Sequence, residues 1–129
     1  MRGRAPTARW SVVLDSPDPR ALAGFYAGLL DWELGTDEPD WVTLRPPEGP
    51  GYLAFQREER YVRPTWPARG GKQQMSMHLD LAVTDLDAAV TSATEAGAEL
   101  VAYQPQDDVR VMLDPDGHPF CLWLDDETS

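Results

Sequence analysis

The sequence predicts an α+β fold made of two tandem βαβββ modules, and three features of its 129 residues carry that prediction. Short β-favouring runs surround two stretches with helical periodicity. The same order of elements occurs twice. An offset of 67 residues superposes the copies, setting Ser11 on His78, Leu14 on Leu81 and Asp18 on Asp85, and one residue of slip after the helix sets Leu34 on Leu100. The repeat lies in element order and spacing more than in residue identity.

Residues 1–8 contain Arg, Gly and Pro without apolar periodicity and are expected to be a disordered start. The run Trp10-Ser-Val-Val-Leu14 favours a strand. Asp15-Ser-Pro-Asp-Pro19 then supplies a turn, with Asp18 as helix N-cap and Pro19 as the first helical residue. In the following helix Leu22, Phe25, Tyr26, Leu29 and Leu30 fall at i, i+3, i+4, i+7 and i+8, one face to be buried on a sheet. Strands are expected over 32–34, 41–44 and 52–56, separated by Gly- and Pro-rich turns. Residues 57–77 form a connector of a length that is either functional or disordered in a compact domain.

The second copy opens with an alternating strand over 78–83. Thr84-Asp85 leads into a helix whose apolar face is Leu86, Ala89, Val90 and Ala93, and Gly97 stands where a left-handed cap ends it. Strands over 99–103, 109–113 and 120–124 follow, the last two joined by the turn Asp114-Pro-Asp-Gly117. The expected organisation is one domain over 9–126, with module one at 9–56, the connector at 57–77 and module two at 78–124.

The net charge of −11 is unevenly placed. Residues 1–72 carry ten basic and ten acidic side chains, whereas residues 73–129 carry twelve acidic ones against Arg110 alone. Such a surface repels phosphate backbones, which argues against nucleic acid, and accommodates a neutral or cationic ligand. No stretch approaches the roughly 20 apolar residues of a membrane span, and the single Cys121 has no partner for a disulfide within the chain. A cytoplasmic protein is therefore expected.

Two segments carry a specific likeness. His78-Leu-Asp-Leu-Ala-Val-Thr-Asp-Leu-Asp-Ala-Ala-Val90 resembles the opening strand and helix of a vicinal oxygen chelate module, and Leu113-Asp-Pro-Asp-Gly-His-Pro-Phe-Cys-Leu122 resembles its closing hairpin. The segment 18–34, ending Phe25-Tyr-Ala-Gly-Leu-Leu-Asp-Trp-Glu-Leu34, resembles the first module's helix and next strand. Trp66-Pro67 and residues 74–78 further resemble an actinobacterial-type glyoxalase-like subgroup. This resemblance to the glyoxalase and bleomycin-resistance-like group covers 10–123. It implies a curved mixed sheet around a cleft, helices on the outer face, a small-molecule ligand and often a homodimer, while leaving the reaction unassigned.

Metal-dependent members of that superfamily are expected to hold their ion at four points, on the first and last strand of each module. His78 stands at the family's histidine position, and Ser11, its counterpart in module one, is a poor ligand. The closing-strand position that is usually Glu is Cys121, and its counterpart falls within 53–56, where the amide of Gln56 is the plausible donor. His78 and Cys121 form a zinc-compatible pair, but no carboxylate stands at these points for a hard ion such as magnesium. The expectation is a chain without a cofactor, any divalent metal resting on His78 and Cys121. The structural alternatives are a strand histidine satisfied by a neighbour and a core-lining thiol. His118, in the tight turn, is expected to face solvent.

Strand alternation predicts the cleft lining. With Leu79, Leu81 and Val83 under the helices, His78, Asp80 and Ala82 face the other way, as do Ser11, Val13 and Asp15 in module one. Phe120 and Leu122 go under the helix, leaving Cys121 and Trp123 on the cleft side, and Arg110 and Met112 are expected to join them. Gln56 and Trp41 contribute from module one, and Trp66 of the connector is placed either to pack or to fold over as a lid. Such a lining, apolar with a few polar groups and aromatic walls, is that of a small-molecule site. Asp80 pairs either with a ligand cation or with Arg110. The reading is a binder of a small aromatic or cationic molecule without the family's full metal site. Its alternatives are a lyase, isomerase or dioxygenase-type enzyme, metal-dependent or using His78 as general base, and a protein interaction module.

Overall fold

The computed structural model describes residues 2–6 and 9–125 and divides the chain into two compact units, Met1–Tyr61 and Val62–Ser129. Unit 1 runs β1 (Trp10–Ser16), α1 (Pro19–Leu30), β2 (Glu33–Glu38), β3 (Trp41–Arg45) and β4 (Gly51–Arg57). Its strands lie in the order β1-β4-β3-β2, with β1 parallel to β4 and the other pairs antiparallel. Unit 2 runs β5 (Leu79–Val83), α2 (Leu86–Ala96), β6 (Glu99–Leu100), β7 (Val109–Leu113) and β8 (Pro119–Leu124). Its order β5-β8-β7-β6 repeats the same pattern of directions. The fold is the predicted α+β pair of βαβββ modules, each a four-stranded mixed sheet with one helix packed on it. Of the expected disordered start, residues 1, 7 and 8 lie outside the described residues, as does residue 126, and residues 2–6 form neither helix nor strand.

Local chemistry fixes both helices at the predicted places. Asp18 accepts a hydrogen bond from the Ala21 amide at 3.2 Å and Asp85 from the Ala88 amide at 3.0 Å, each satisfying one of the amides that a first turn leaves unpaired. Asp31 ends α1 at φ 56 and Gly97 ends α2 at φ 120, both left-handed. In unit 1 the helix buries Leu22, Ala23, Phe25 and Tyr26 against β3 and β4. The Tyr26 ring stacks on Phe55 with centroids 5.7 Å apart. Each large side chain so buried contributes about 1.5–3 kcal/mol. Helix α2 buries only Ala93 fully, as its small-residue face implies.

Two edge strands depart from their predicted lengths. β2 extends to Glu38 because a bulge between Leu34 and Asp37 lets it continue along β3. Gly35 makes that bulge possible, since a Cβ there would meet Thr43 Oγ1 at 2.6 Å, and the Thr43 hydroxyl accepts from the Thr36 amide instead. β6 stops at Leu100 rather than 103. Beyond it the side chain of Gln104 stands in for a strand, donating from Nε2 to the Val101 and Val111 carbonyls and accepting from the Val111 amide at 2.8 Å.

The β7–β8 turn corrects the expectation for His118. Instead of facing solvent, its side chain is 16% exposed and its Nδ1 lies 2.7 Å from Asp114 Oδ2. Buried Asp114 also accepts the Asp116 and His118 amides through Oδ1, so one carboxylate organises the whole turn. Gly117 completes it at φ 89.

Candidate functional site

The faces of each sheet follow from the strand registers. In unit 1 Phe55 touches α1 through Tyr26, so Phe55 and its neighbours Leu14 and Val42 lie beneath the helix. The opposite face takes Ser11, Val13 and Asp15 of β1 with Tyr52, Ala54 and Gln56 of β4. The register of unit 2 is the same 67 residues on. Leu122 occupies the place of Phe55 beside Leu81, and the helix-free face takes the pairs Asp80↔Cys121 and Ala82↔Trp123.

On that face three donors converge. His78 sits just before β5, and its Nε2 lies 3.0 Å from Asp80 Oδ1. The donor atoms of His78, Asp80 and Cys121 all fall within 4.8 Å of one another. Half-burial of the Cys121 thiol raises its pKa above the ordinary value, and the Asp80 charge and a hydrogen bond to the Asp80 carboxylate raise it further. Cys121 is therefore held as the thiol at neutral pH, the opposite of what an activated nucleophile needs. Two residues along β8, Trp123 is 38% exposed on the same face.

Three expectations about the lining are corrected by the register. Residues directly opposite in an antiparallel pair share a face, and β7 pairs Arg110 with Leu122 and Met112 with Phe120. Both residues therefore lie on the face away from Cys121 and Trp123, and Met112 is fully buried. The Asp80–Arg110 ion pair is not formed. Asp80 holds His78, while Arg110 Nη1 donates to the carbonyls of Asp107 and Val109 at 2.9 Å. The module-one counterpart of Cys121 is Ala54, because Val13↔Ala54 matches Asp80↔Cys121. Gln56 instead matches Trp123. The positions equivalent to His78, Asp80 and Cys121 are thus Ser11, Val13 and Ala54, and the last two offer no side-chain ligand.

Trp41 and Gln56 face each other across β3 and β4 in unit 1. They line a surface depression of about 470 Å³ together with Asp40, Arg57 and Glu58. Gln56 Nε2 donates to Asp15 Oδ1 at 3.3 Å. Trp66, in unit 2, is half-buried, and its indole N–H is enclosed without a hydrogen-bond partner. The role of Asp80 as a third donor was missed in the sequence. The signal was present: His78 and Asp80 are two residues apart in an extended segment, and that spacing puts both side chains on one face.

The family model for the glyoxalase-like domain matches residues 11–123. The chain belongs to this family. It is thereby a member of the vicinal oxygen chelate superfamily, and solved structures share the fold. A glyoxalase/bleomycin resistance protein/dioxygenase family enzyme from Burkholderia phytofirmans superposes with a TM-score of 0.65 at 21% identity, covering 87% of this chain and 94% of that one. A glyoxalase/bleomycin resistance protein from Albidiferax ferrireducens gives 0.62 at 17% identity, over 89% and 96%. A glyoxalase-related enzyme from Fulvimarina pelagi gives 0.65 at 19% identity, over 94% and 89%. No curated protein matches the sequence significantly. In this glyoxalase-like chain the family's metal would find thiol, imidazole and carboxylate donors in unit 2, a set that fits a borderline ion better than a hard one.

Proposed function

We propose that this glyoxalase-like protein binds a small aromatic or cationic molecule on the helix-free face of unit 2, as a cytoplasmic homodimer. Trp123 supplies a surface for stacking and Asp80 the countercharge, with His78 and Cys121 completing the lining. One observation carries the reading: these four side chains share one partly exposed face, whereas the matching positions in unit 1 are Ser11, Val13, Ala54 and Gln56. The four-point metal set of the family's metal-dependent members is therefore reduced to one unit, and what is left combines an aromatic surface with a carboxylate. Among the described residues no helix is long and apolar enough to cross a membrane.

The test is a thermal-shift and calorimetric screen against planar aromatic cations and their neutral isosteres. The cations are expected to bind preferentially. Trp123→Ala and Asp80→Asn are each expected to weaken binding about tenfold, the equivalent of about 1.4 kcal/mol. Equal affinity of wild type and both variants would sink the proposal, and sedimentation equilibrium reads the dimer directly. The His78–Asp80 pair favours one second reading, an enzyme in which the carboxylate orients His78 as a general base. That reading requires turnover lost in His78→Gln but retained in Trp123→Ala.

A further inference from the structure

We infer that Arg9, Arg45 and Tyr52 form a binding site for a small oxyanion, the phosphate or carboxylate group of an organic molecule, at one end of the unit 1 sheet. None of these residues belongs to the face of unit 2, so the inference is independent of the proposed function.

The site is built around the loop that joins β3 to β4. Three of the five residues between these strands are proline, Pro46, Pro47 and Pro50. Each fixes its own φ, so the loop is stiff before any ligand arrives, and Gly49 makes the tight bend at φ 91. Arg45 is the last residue of β3 and Tyr52 the second of β4. One step beyond the final register pair, Leu44↔Leu53, the two come side by side. Arg9 directly precedes β1, where Trp10 is the register partner of Gly51. A Cβ on Gly51 would come within 2.6 Å of the Trp10 ring, so the glycine lets the indole lie against β4 and holds the start of β1 beside the loop. Arg9, Arg45 and Tyr52, with Pro46, Gly49 and Pro50, thereby line a hollow of about 340 Å³.

Charge then selects the ligand. Among the described residues no Asp or Glu lines the hollow, and neither Arg9 nor Arg45 makes an ion pair or a side-chain hydrogen bond. Other arginines of the same unit behave differently: Arg20 pairs with Asp37 at 2.8 Å and Arg57 with Asp40 at 3.9 Å. Glu33 is the register partner of Arg45 on β2, yet no ion pair joins them. In a chain with 22 acidic side chains against 11 basic ones, two guanidinium groups that line one hollow without a carboxylate are cations held ready for an outside anion. They stay charged at any working pH, and their N–H forks match the paired oxygens of a carboxylate or phosphate. Tyr52 adds a phenolic donor and an aromatic surface for the rest of the molecule. The net charge of −11 opposes an anion at low salt. At physiological salt, charges farther off than about 8 Å are largely screened, and the two local cations govern.

The experiment is calorimetric titration of the full chain, at fixed physiological ionic strength, with phenyl phosphate and with benzoate. One equivalent of at least one probe is expected to bind, and the tighter of the two names the oxyanion. Arg9→Gln and Arg45→Gln should each weaken it about fivefold, the upper end for exposed ion pairs, and the double variant should abolish saturable binding. Lys72→Gln removes the same charge from a side chain that does not line the hollow, and should leave the affinity unchanged. All three side chains are exposed, so these variants keep the fold, and circular dichroism checks it. The inference is overturned if neither probe saturates in the millimolar range, if the double variant binds as tightly as wild type, or if Lys72→Gln weakens binding as much as Arg45→Gln does. The screen of aromatic cations reads other residues, so its failure and this one are distinguishable.

Discussion

At the residue scale Asp80 links the cluster: its Oδ1 lies 3.0 Å from His78 Nε2, and its charge and hydrogen bonding raise the pKa of the Cys121 thiol. Its charge helps keep the thiol protonated, so alkylation of Cys121 by iodoacetamide should need a more alkaline solution than a free cysteine does. Asp80→Asn removes the charge and weakens the hydrogen bond while leaving the burial. The alkylation profile should then move to lower pH but stay above that of a solvent-exposed thiol. A profile that does not move, or moves upward, would show that Asp80 does not act on the sulfur. That His78, Asp80, Cys121 and Trp123 share one face was legible in sequence, because spacing along one strand sets the side that each faces. Their mutual pairing was not. Whether Asp80 meets His78 or Arg110 depends on which strands lie side by side and in what register.

At the element scale, the helix ends were read correctly, whereas the side chain of His118 in the β7–β8 turn, the length of β6 and the face of β7 were not. Asp18, Asp85 and Gly97 cap helices at their predicted places because a cap needs only its own first or last turn. Arg110 and Met112 were placed on the wrong face because the parity of β7 against β8 depends on the five residues of the turn, which pair even with even numbers. β6 proved short because a side chain, Gln104, does the work of its last residues, and no strand propensity anticipates that. The turn also yields a test. Gly117 holds φ 89, and a Cβ there would come within 2.3 Å of Arg63. Gly117→Ala should therefore cost about 1–2 kcal/mol in urea unfolding. Gly28→Ala in α1, where a Cβ meets nothing within 4 Å, should stabilise by up to about 1 kcal/mol. Equal effects at the two positions would contradict the assigned backbone.

At the scale of the whole molecule the two units share one topology and register but not one chemistry. Unit 2 holds the converging donors, and residues 73–129 carry the whole excess of negative charge. Crowded like charges oppose the compact state and are screened by salt. Raising NaCl from low to physiological ionic strength at pH 7 should therefore raise the Tm by about 4 °C, the equivalent of about 1 kcal/mol for a chain of this size. A flat or falling Tm would place the balance of surface charge elsewhere.

Gln104 has a further effect. Its amide occupies the outward N–H of Val111 and shares the Val111 C=O with the Val101 N–H, just past the point where the two-residue strand β6 ends. An uncovered strand margin is a template onto which another molecule can zip, and it is the usual seed of fibrils. One glutamine thus serves as a stopper against self-propagating assembly, a safeguard that a tally of stabilising contacts would overlook.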